Sequence, residues 1–182
     1  MTDLDERMES YRDLMIYPFA SEENILTLLN MGFFTAPAST KYHGAYEGGL
    51  FDHSCHVTKA LLRLTRYNKL VWMREESPYI VGMFHDLCKC DQYYLEGFDN
   101  DSSIYAFDNE TLLKGHGEKS IMLLSQFFTL TEEEILCIRY HMGAFVPKEE
   151  WNDYTRAIHK YPNVLWTHTA DMLAAHVMEI DV

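Results

Sequence analysis

Apolar residues recur at helical spacing through most of the chain, in stretches set apart by glycine, proline and capping side chains. A mixed acidic segment over residues 1–20 reads as a short helix that stops before Pro18. Ser21 then caps a run in which Ile25, Leu28 and Leu29 lie three or four apart, with Gly32 as the stop. From Phe33 to Gly49 no period survives. Pro37, Gly44, Gly48 and Gly49 mark a long loop, and the aromatics Phe33, Phe34, Tyr42 and Tyr46 favour order in it. Leu50 opens a long helix in which Leu50, His53, Val57, Leu61 and Leu64 share one face, while Lys59, Arg63 and Arg66 lie outside. His53 therefore points where the leucines point.

Ser77-Pro78 supplies a cap and a first-turn proline to a helix whose apolar residues Ile80, Val81, Phe84 and Leu87 flank His85 and Asp86. Tyr93-Tyr94-Leu95 and Ile104-Tyr105-Ala106-Phe107 are β-prone, with the turn signal Gly97-Phe98-Asp99-Asn100-Asp101 between them, so one hairpin is expected. His116 opens a helix that runs on through Ile121, Leu124 and Phe127 or Phe128. Thr131-Glu132-Glu133-Glu134 is a capping box before Ile135, Ile138 and Met142; His141 falls on or beside that face, and Gly143 ends it. A looser acidic helix covers Glu149 to His159. Pro162 starts the last helix, with Leu165, His168, Met172 and Ala175 on one face and Asp171 beside it. The expectation is an all-α protein with one small β-hairpin, residues 1–182 forming one domain. Residues 1–32 would be an N-terminal helical extension and 33–182 the core.

Composition narrows the function. A chain of 182 residues is long enough for one sizeable core, and 47% hydrophobic with 24% charged residues is ordinary globular composition. No apolar run approaches the roughly 20 residues that span a bilayer, and the acidic start Met1-Thr2-Asp3-Leu4-Asp5-Glu6 is unlike a signal peptide, so a cytoplasmic protein is expected. Cys55, Cys88, Cys90 and Cys137 fit free thiols; Cys88 and Cys90 lack the usual zinc spacing and a second pair. A net charge of −13 argues against a surface for long nucleic acid, but not against a small phosphorylated substrate in one cleft.

His53, the His85-Asp86 pair, His116, His141 and Asp171 are separated by 25 to 32 residues, so each belongs to a different helix, near its apolar face. A single His-Asp dipeptide is most simply a buried hydrogen-bonded pair. Five helices that each present such a group are harder to explain, because every unpaired buried polar group costs about 1–3 kcal/mol. Convergence on a divalent metal satisfies all of them, and the His and carboxylate donors favour manganese, iron, magnesium or nickel over structural zinc.

The pattern H…HD…D, here His53, His85-Asp86 and Asp171, resembles the HD superfamily of metal-dependent phosphohydrolases. The resemblance covers nearly all of the chain from about Phe33. The flanks Tyr42-His43-Gly44-Ala45-Tyr46-Glu47-Gly48-Gly49-Leu50, Gly115-His116-Gly117-Glu118-Lys119-Ser120, Ile138-Arg139-Tyr140-His141-Met142-Gly143 and Thr169-Ala170-Asp171 are similar to a bacterial and phage group of stand-alone HD proteins. The first is also similar to the HD domain of some bacterial 3′–5′ exoribonucleases. The resemblance implies an HD-domain helical bundle and, through His116 and His141, a centre of two metals. One would take His53, His85, Asp86 and Asp171, the other Asp86, His116 and His141, with Asp86 shared. A nucleotide or other small phosphoester would be hydrolysed by a metal-activated water, with Asp86 and Lys89 catalytic.

In similar HD proteins a lysine at the Lys89 position contacts substrate phosphate; here Cys88 stands where glycine is common. Lys89, His43 and Arg139 form the expected substrate-binding set, with Lys41 and Lys119 as further cations. His168, one turn before Asp171, would orient that aspartate, and His56 is a packed or outer residue beside His53. Tyr93, Tyr94, Tyr105 and Phe107 would either stack on a base or pack across the hairpin. Two other readings use the same residues: a di-iron HD oxygenase, and a non-catalytic nucleotide-binding module. HD proteins are often dimers, so a homodimer remains open.

Overall fold

A computed structural model describes residues 2–99 and 102–178. Eight α-helices and one two-stranded antiparallel sheet lie among them, which bears out the all-α reading with its hairpin. In chain order these are α1 (Asp3–Leu14), α2 (Glu22–Asn30), α3 (Gly49–Asn68), α4 (Ser77–Phe84), a 3₁₀ turn (Leu87–Asp91), β1 (Tyr93–Asp99) and β2 (Ser102–Phe107). Then follow α5 (His116–Leu124), α6 (Glu132–Arg139), α7 (Trp151–Lys160) and α8 (Asn163–Leu173), which passes into a π-helical turn (Ala174–Met178).

The helix starts follow local chemistry. Thr2 and Thr131 each accept from the backbone N–H three residues on, and Asp5 and Glu134 answer by accepting from the Thr N–H, so both ends carry a capping box. Ser21 caps α2 by accepting from Asn24 N–H. The glycine stop at Gly32 takes φ +84°, a left-handed conformation that costs glycine little.

Helix α3 is central and packs on α4, α8 and α1. The approach to α4 is close: a Cβ on Gly82 would stand 2.6 Å from the Cα of Thr58, so only glycine lets the two backbones meet there. That contact brings His53 of α3 toward His85 at the end of α4. Residues of the N-terminal segment enter the same core. Tyr11 stacks edge-on against Phe34 at 5.7 Å, and Phe33 and Phe84 lie 6.0 Å apart, with Tyr11, Phe33, Phe34 and Phe84 all fully buried.

Several boundaries differ from the sequence reading. Helix α4 stops at Phe84, and Asp86 (φ −106°, ψ 19°) leads into the 3₁₀ turn instead of continuing the helix. Consecutive helical residues point about 100° apart, so aiming both His85 and Asp86 inward at one place requires the chain to leave the helix there. Ser77 does not cap α4. Its Oγ donates to Glu134 at 2.8 Å, and Glu76 occupies the N-cap. Helix α5 ends at Leu124, and Phe128 turns back onto Phe19 (4.8 Å) and Phe84 (5.7 Å). Helix α6 ends at Arg139, two residues short of His141, and Gly143 follows at φ +60°. On α8 the inward row is Val164, Thr167, Ala170 and Ala174, with Asp171 beside it, while Leu165 and Met172 are exposed. Strand β1 runs through Gly97 to Asp99 with an irregularity between Leu95 and Gly97; the expected turn residues Asn100 and Asp101 lie outside the described residues.

Two glutamates that look like a solvated first turn clamp the bundle. Arg74 donates from Nε and Nη2 to the two oxygens of Glu134, both at 2.8 Å, alongside the Ser77 hydroxyl. Glu133 accepts from Met73 N–H at 2.7 Å and from Asn163 Nδ2 at 2.9 Å, joining the segment before α4 to α6 and α8. Glu134→Ala is expected to cost about 3 kcal/mol, the low end for breaking a buried ion pair because Arg74 keeps access to water. Thermal unfolding followed by circular dichroism should then fall by roughly 10 °C.

Candidate metal centre

His53 lies in the second turn of α3, His85 and Asp86 follow α4, His116 opens α5, His141 follows α6 and Asp171 lies in α8. All six meet. His53, His85, Asp86 and His141 are at most 3% exposed. Asp86 is the hub. Its Oδ1 stands 2.8 Å from His116 Nε2 and 3.3 Å from His141 Nε2. Its Oδ2 stands 2.7 Å from Lys89 Nζ, 3.5 Å from His85 Nε2 and 3.8 Å from His53 Nε2. Asp171 Oδ1 completes the second side, 3.1 Å from His53 Nε2 and 3.9 Å from His85 Nε2.

The ring orientations are fixed by backbone. His85 Nδ1 donates to the Gly82 carbonyl at 2.9 Å, and His141 Nδ1 donates to the Ile138 carbonyl at 2.6 Å. A carbonyl only accepts, so the neutral ring keeps its lone pair on Nε2. Neither His85 Nε2 nor His141 Nε2 has a hydrogen-bond partner, although both are buried. Burial, outweighing the pull of Asp86, lowers the pKa of His141 and keeps it neutral. Its lone pair therefore faces a carboxylate oxygen at 3.3 Å, acceptor against acceptor. A cation between them turns that repulsion into coordination, so the donor set fits a divalent metal. Three overlapping groups have ligand atoms close enough to hold one ion: His53, His85 and Asp86; His85, His141 and Asp171; and Asp86, Cys88 and His116.

The charges of the cluster are strongly linked. Burial works to raise the Asp86 carboxyl, but the cationic Lys89 and His116 hold it well below the usual carboxylate range. Burial likewise opposes ionisation of Asp171, but the hydrogen bond with His53 at 3.1 Å outweighs it, lowering its pKa. For His116 burial pulls downward, but Asp86 at 2.8 Å wins and its pKa is pushed up to about 10.

A cavity of about 300 Å³ opens onto Asp86, His116 and Asp171, and is lined also by His43, Lys89, Tyr93, Met142, Phe145 and Met172. Lys89 is only 8% exposed, held over Asp86 rather than solvated. The His43 ring packs on His53 with centroids 4.9 Å apart. The other expected cations are elsewhere. Arg139 pairs with Glu150 (3.0 Å) and Glu118 (3.3 Å) and does not line this cavity. Lys119 is buried against Asp91, and Lys41 is exposed. His168 does not reach Asp171 through its Nδ1, which donates to the His141 carbonyl at 2.7 Å. Tyr93 and Phe107 are paired across the hairpin at 5.8 Å, the packing alternative. An open groove of about 760 Å³ between α6 and α7 contains none of the cluster.

The residues sequence reasoning missed are the apolar wall (Met142, Phe145, Met172) and Cys88, whose Sγ lies 3.3 Å from His116 Nδ1. Among the described residues no helix is long and apolar enough to cross a membrane. No protein-family model, curated protein or solved structure matches the chain.

Proposed function

We propose that the chain is a metal-dependent phosphohydrolase of the HD type, acting on a nucleotide or another small phosphoester. The observation that carries this is the set of fixed imidazole lone pairs, on His85 and His141, aimed at an ionised Asp86 inside a cavity. His53, His85, Asp86 and Asp171 would hold one ion, and Asp86, His116 and His141 a second. The nitrogen and oxygen donors suit manganese, iron, magnesium or nickel. Such ions supply Lewis acidity toward phosphoryl oxygens and make a water acidic enough to attack near neutral pH.

The chain's own residues do the rest. Lys89 uses one N–H on Asp86 and has others for a phosphoryl oxygen, where its charge offsets that of the transition state. His43 lines the same cavity and offers a second contact to the ester. Ala38, Met142, Phe145 and Met172 shield the reacting group from bulk water, and a cavity of about 300 Å³ suits one small ligand. The test is phosphate release from nucleoside monophosphates and aryl phosphates, and opening of cyclic nucleotides to the monophosphate, under each ion. Turnover that a chelator abolishes is expected. Failure with every ester, or substrate-dependent oxygen uptake by iron-loaded protein, would overturn the reading.

Ion binding should also release protons. Without metal, His116 is charged at neutral pH because its pKa lies at about 10. A ligand imidazole must be neutral, so binding at pH 7–8 expels about one proton from it. Affinity therefore strengthens as pH rises, by roughly tenfold per unit below that pKa. Calorimetry in buffers of different ionisation enthalpy measures the released proton; none released would contradict the assignment of His116.

A further inference from the structure

The three histidines around Asp86 Oδ1 and Oδ2 that lie at helix ends are not held alike. His85 and His141 each follow a helix, and each ring donates from Nδ1 to the carbonyl three residues earlier, Gly82 and Ile138. His116 is the first residue of α5, preceded by loop and by Gly115 at φ +87°, so no helical carbonyl lies behind its ring. The group found there is Cys88 Sγ, 3.3 Å from His116 Nδ1. Cys88 is fully buried and is itself fixed: its backbone N–H donates to Ser120 Oγ at 3.0 Å, and that hydroxyl donates to the His116 carbonyl at 3.3 Å. The 3₁₀ turn and α5 are thus tied by a closed loop of contacts through Cys88, Ser120 and His116.

We propose that Cys88 is the positioning residue for His116: its sulfur accepts the Nδ1–H and so holds Nε2 toward Asp86 Oδ1. This rests on the reading of the cluster as a two-ion centre. The sulfur does for His116 what a backbone carbonyl does for His85 and His141. Outer partners of this kind fix tautomer and ring direction, and their loss typically weakens metal binding by about 10–100-fold. Serine keeps an acceptor at the position; alanine removes it.

Two measurements on the full chain test this. In metal-free protein, ¹⁵N-edited NMR should show the His116 Nδ1–H protected from exchange in wild type and in Cys88→Ser, and unprotected in Cys88→Ala. In cobalt(II) titrations, Cys88→Ala should bind its second ion about 10–100-fold more weakly with the first unchanged, and Cys88→Ser should recover. An unprotected Nδ1–H in wild type, or equal second-ion affinity in Cys88→Ala, overturns the proposal. So does a thiolate-to-cobalt absorption band in wild type that Cys88→Ser removes, since Cys88 would then be a ligand. Wild type that binds fewer than two ions overturns the two-ion reading instead, and the NMR comparison still decides the role of Cys88.

Discussion

Asp86→Asn should leave a helical protein and lower phosphoester turnover at least about a thousandfold. The substitution keeps the shape of the side chain and removes the charge that faces four imidazoles and Lys89. Ions at such a site contribute several kcal/mol of transition-state stabilisation, and each 1.36 kcal/mol is tenfold in rate. Stability follows the same logic. Lys89 is buried and Asp86 is its counter-charge, so the metal-free variant should lose about 3 kcal/mol. Wild type at a hundredfold excess over the dissociation constant gains about 2.7 kcal/mol from bound ion. The wild-type melting temperature should therefore rise with added metal, while that of Asp86→Asn stays flat. Unchanged turnover, or an equal thermal response, would contradict the hub role of Asp86.

His141→Ala should cost one ion and keep the other. His141 is fully buried on the Oδ1 side of Asp86, with His116, whereas His53, His85 and Asp171 lie on the Oδ2 side or beside it. With the Cys88 sulfur engaged at His116 Nδ1, removing the His141 imidazole leaves only His116 and one carboxylate oxygen, too few donors to hold an ion firmly. In manganese-loaded protein the spin-coupled signal of a pair should give way to that of an isolated ion. On the proposed two-ion reading, turnover should fall about a hundredfold or more, because one half of the clamp on the attacking and leaving oxygens would be lost. A coupled pair surviving in the variant would exclude His141 from the centre.

Much of this arrangement is legible in the sequence because it follows from helical period and caps. Ser21, the Thr131 box and the face of α3 that carries His53 are local signals, and local chemistry formed them. The convergence of His53, His85, Asp86, His116, His141 and Asp171 was also legible, since an apolar stripe tells which way a polar residue within it must point. What stayed hidden depends on partners distant in sequence. The end of α4 at Phe84 follows from the need to aim two adjacent side chains at one place, whereas Leu87 reads as further helix. Glu133 and Glu134 look like solvent-facing capping residues, yet both are buried because Arg74, Met73 and Asn163 reach them across 30 to 60 residues of chain. Arg139 reads as a phosphate contact but is held by Glu118 and Glu150, and the inner face of α8 is made by the small residues Thr167, Ala170 and Ala174, which fit against its neighbours where the larger Leu165 and Met172 stay exposed.

The most direct test is elemental analysis after reconstitution with a manganese, iron, nickel or magnesium salt and removal of excess ion, on wild type and on Asp86→Asn. Two ions per chain in wild type and essentially none in the variant is the predicted result. Wild type that retains no ion under any of these conditions would contradict the claim, leaving His85 and Asp86 as a buried polar pair that serves the fold alone.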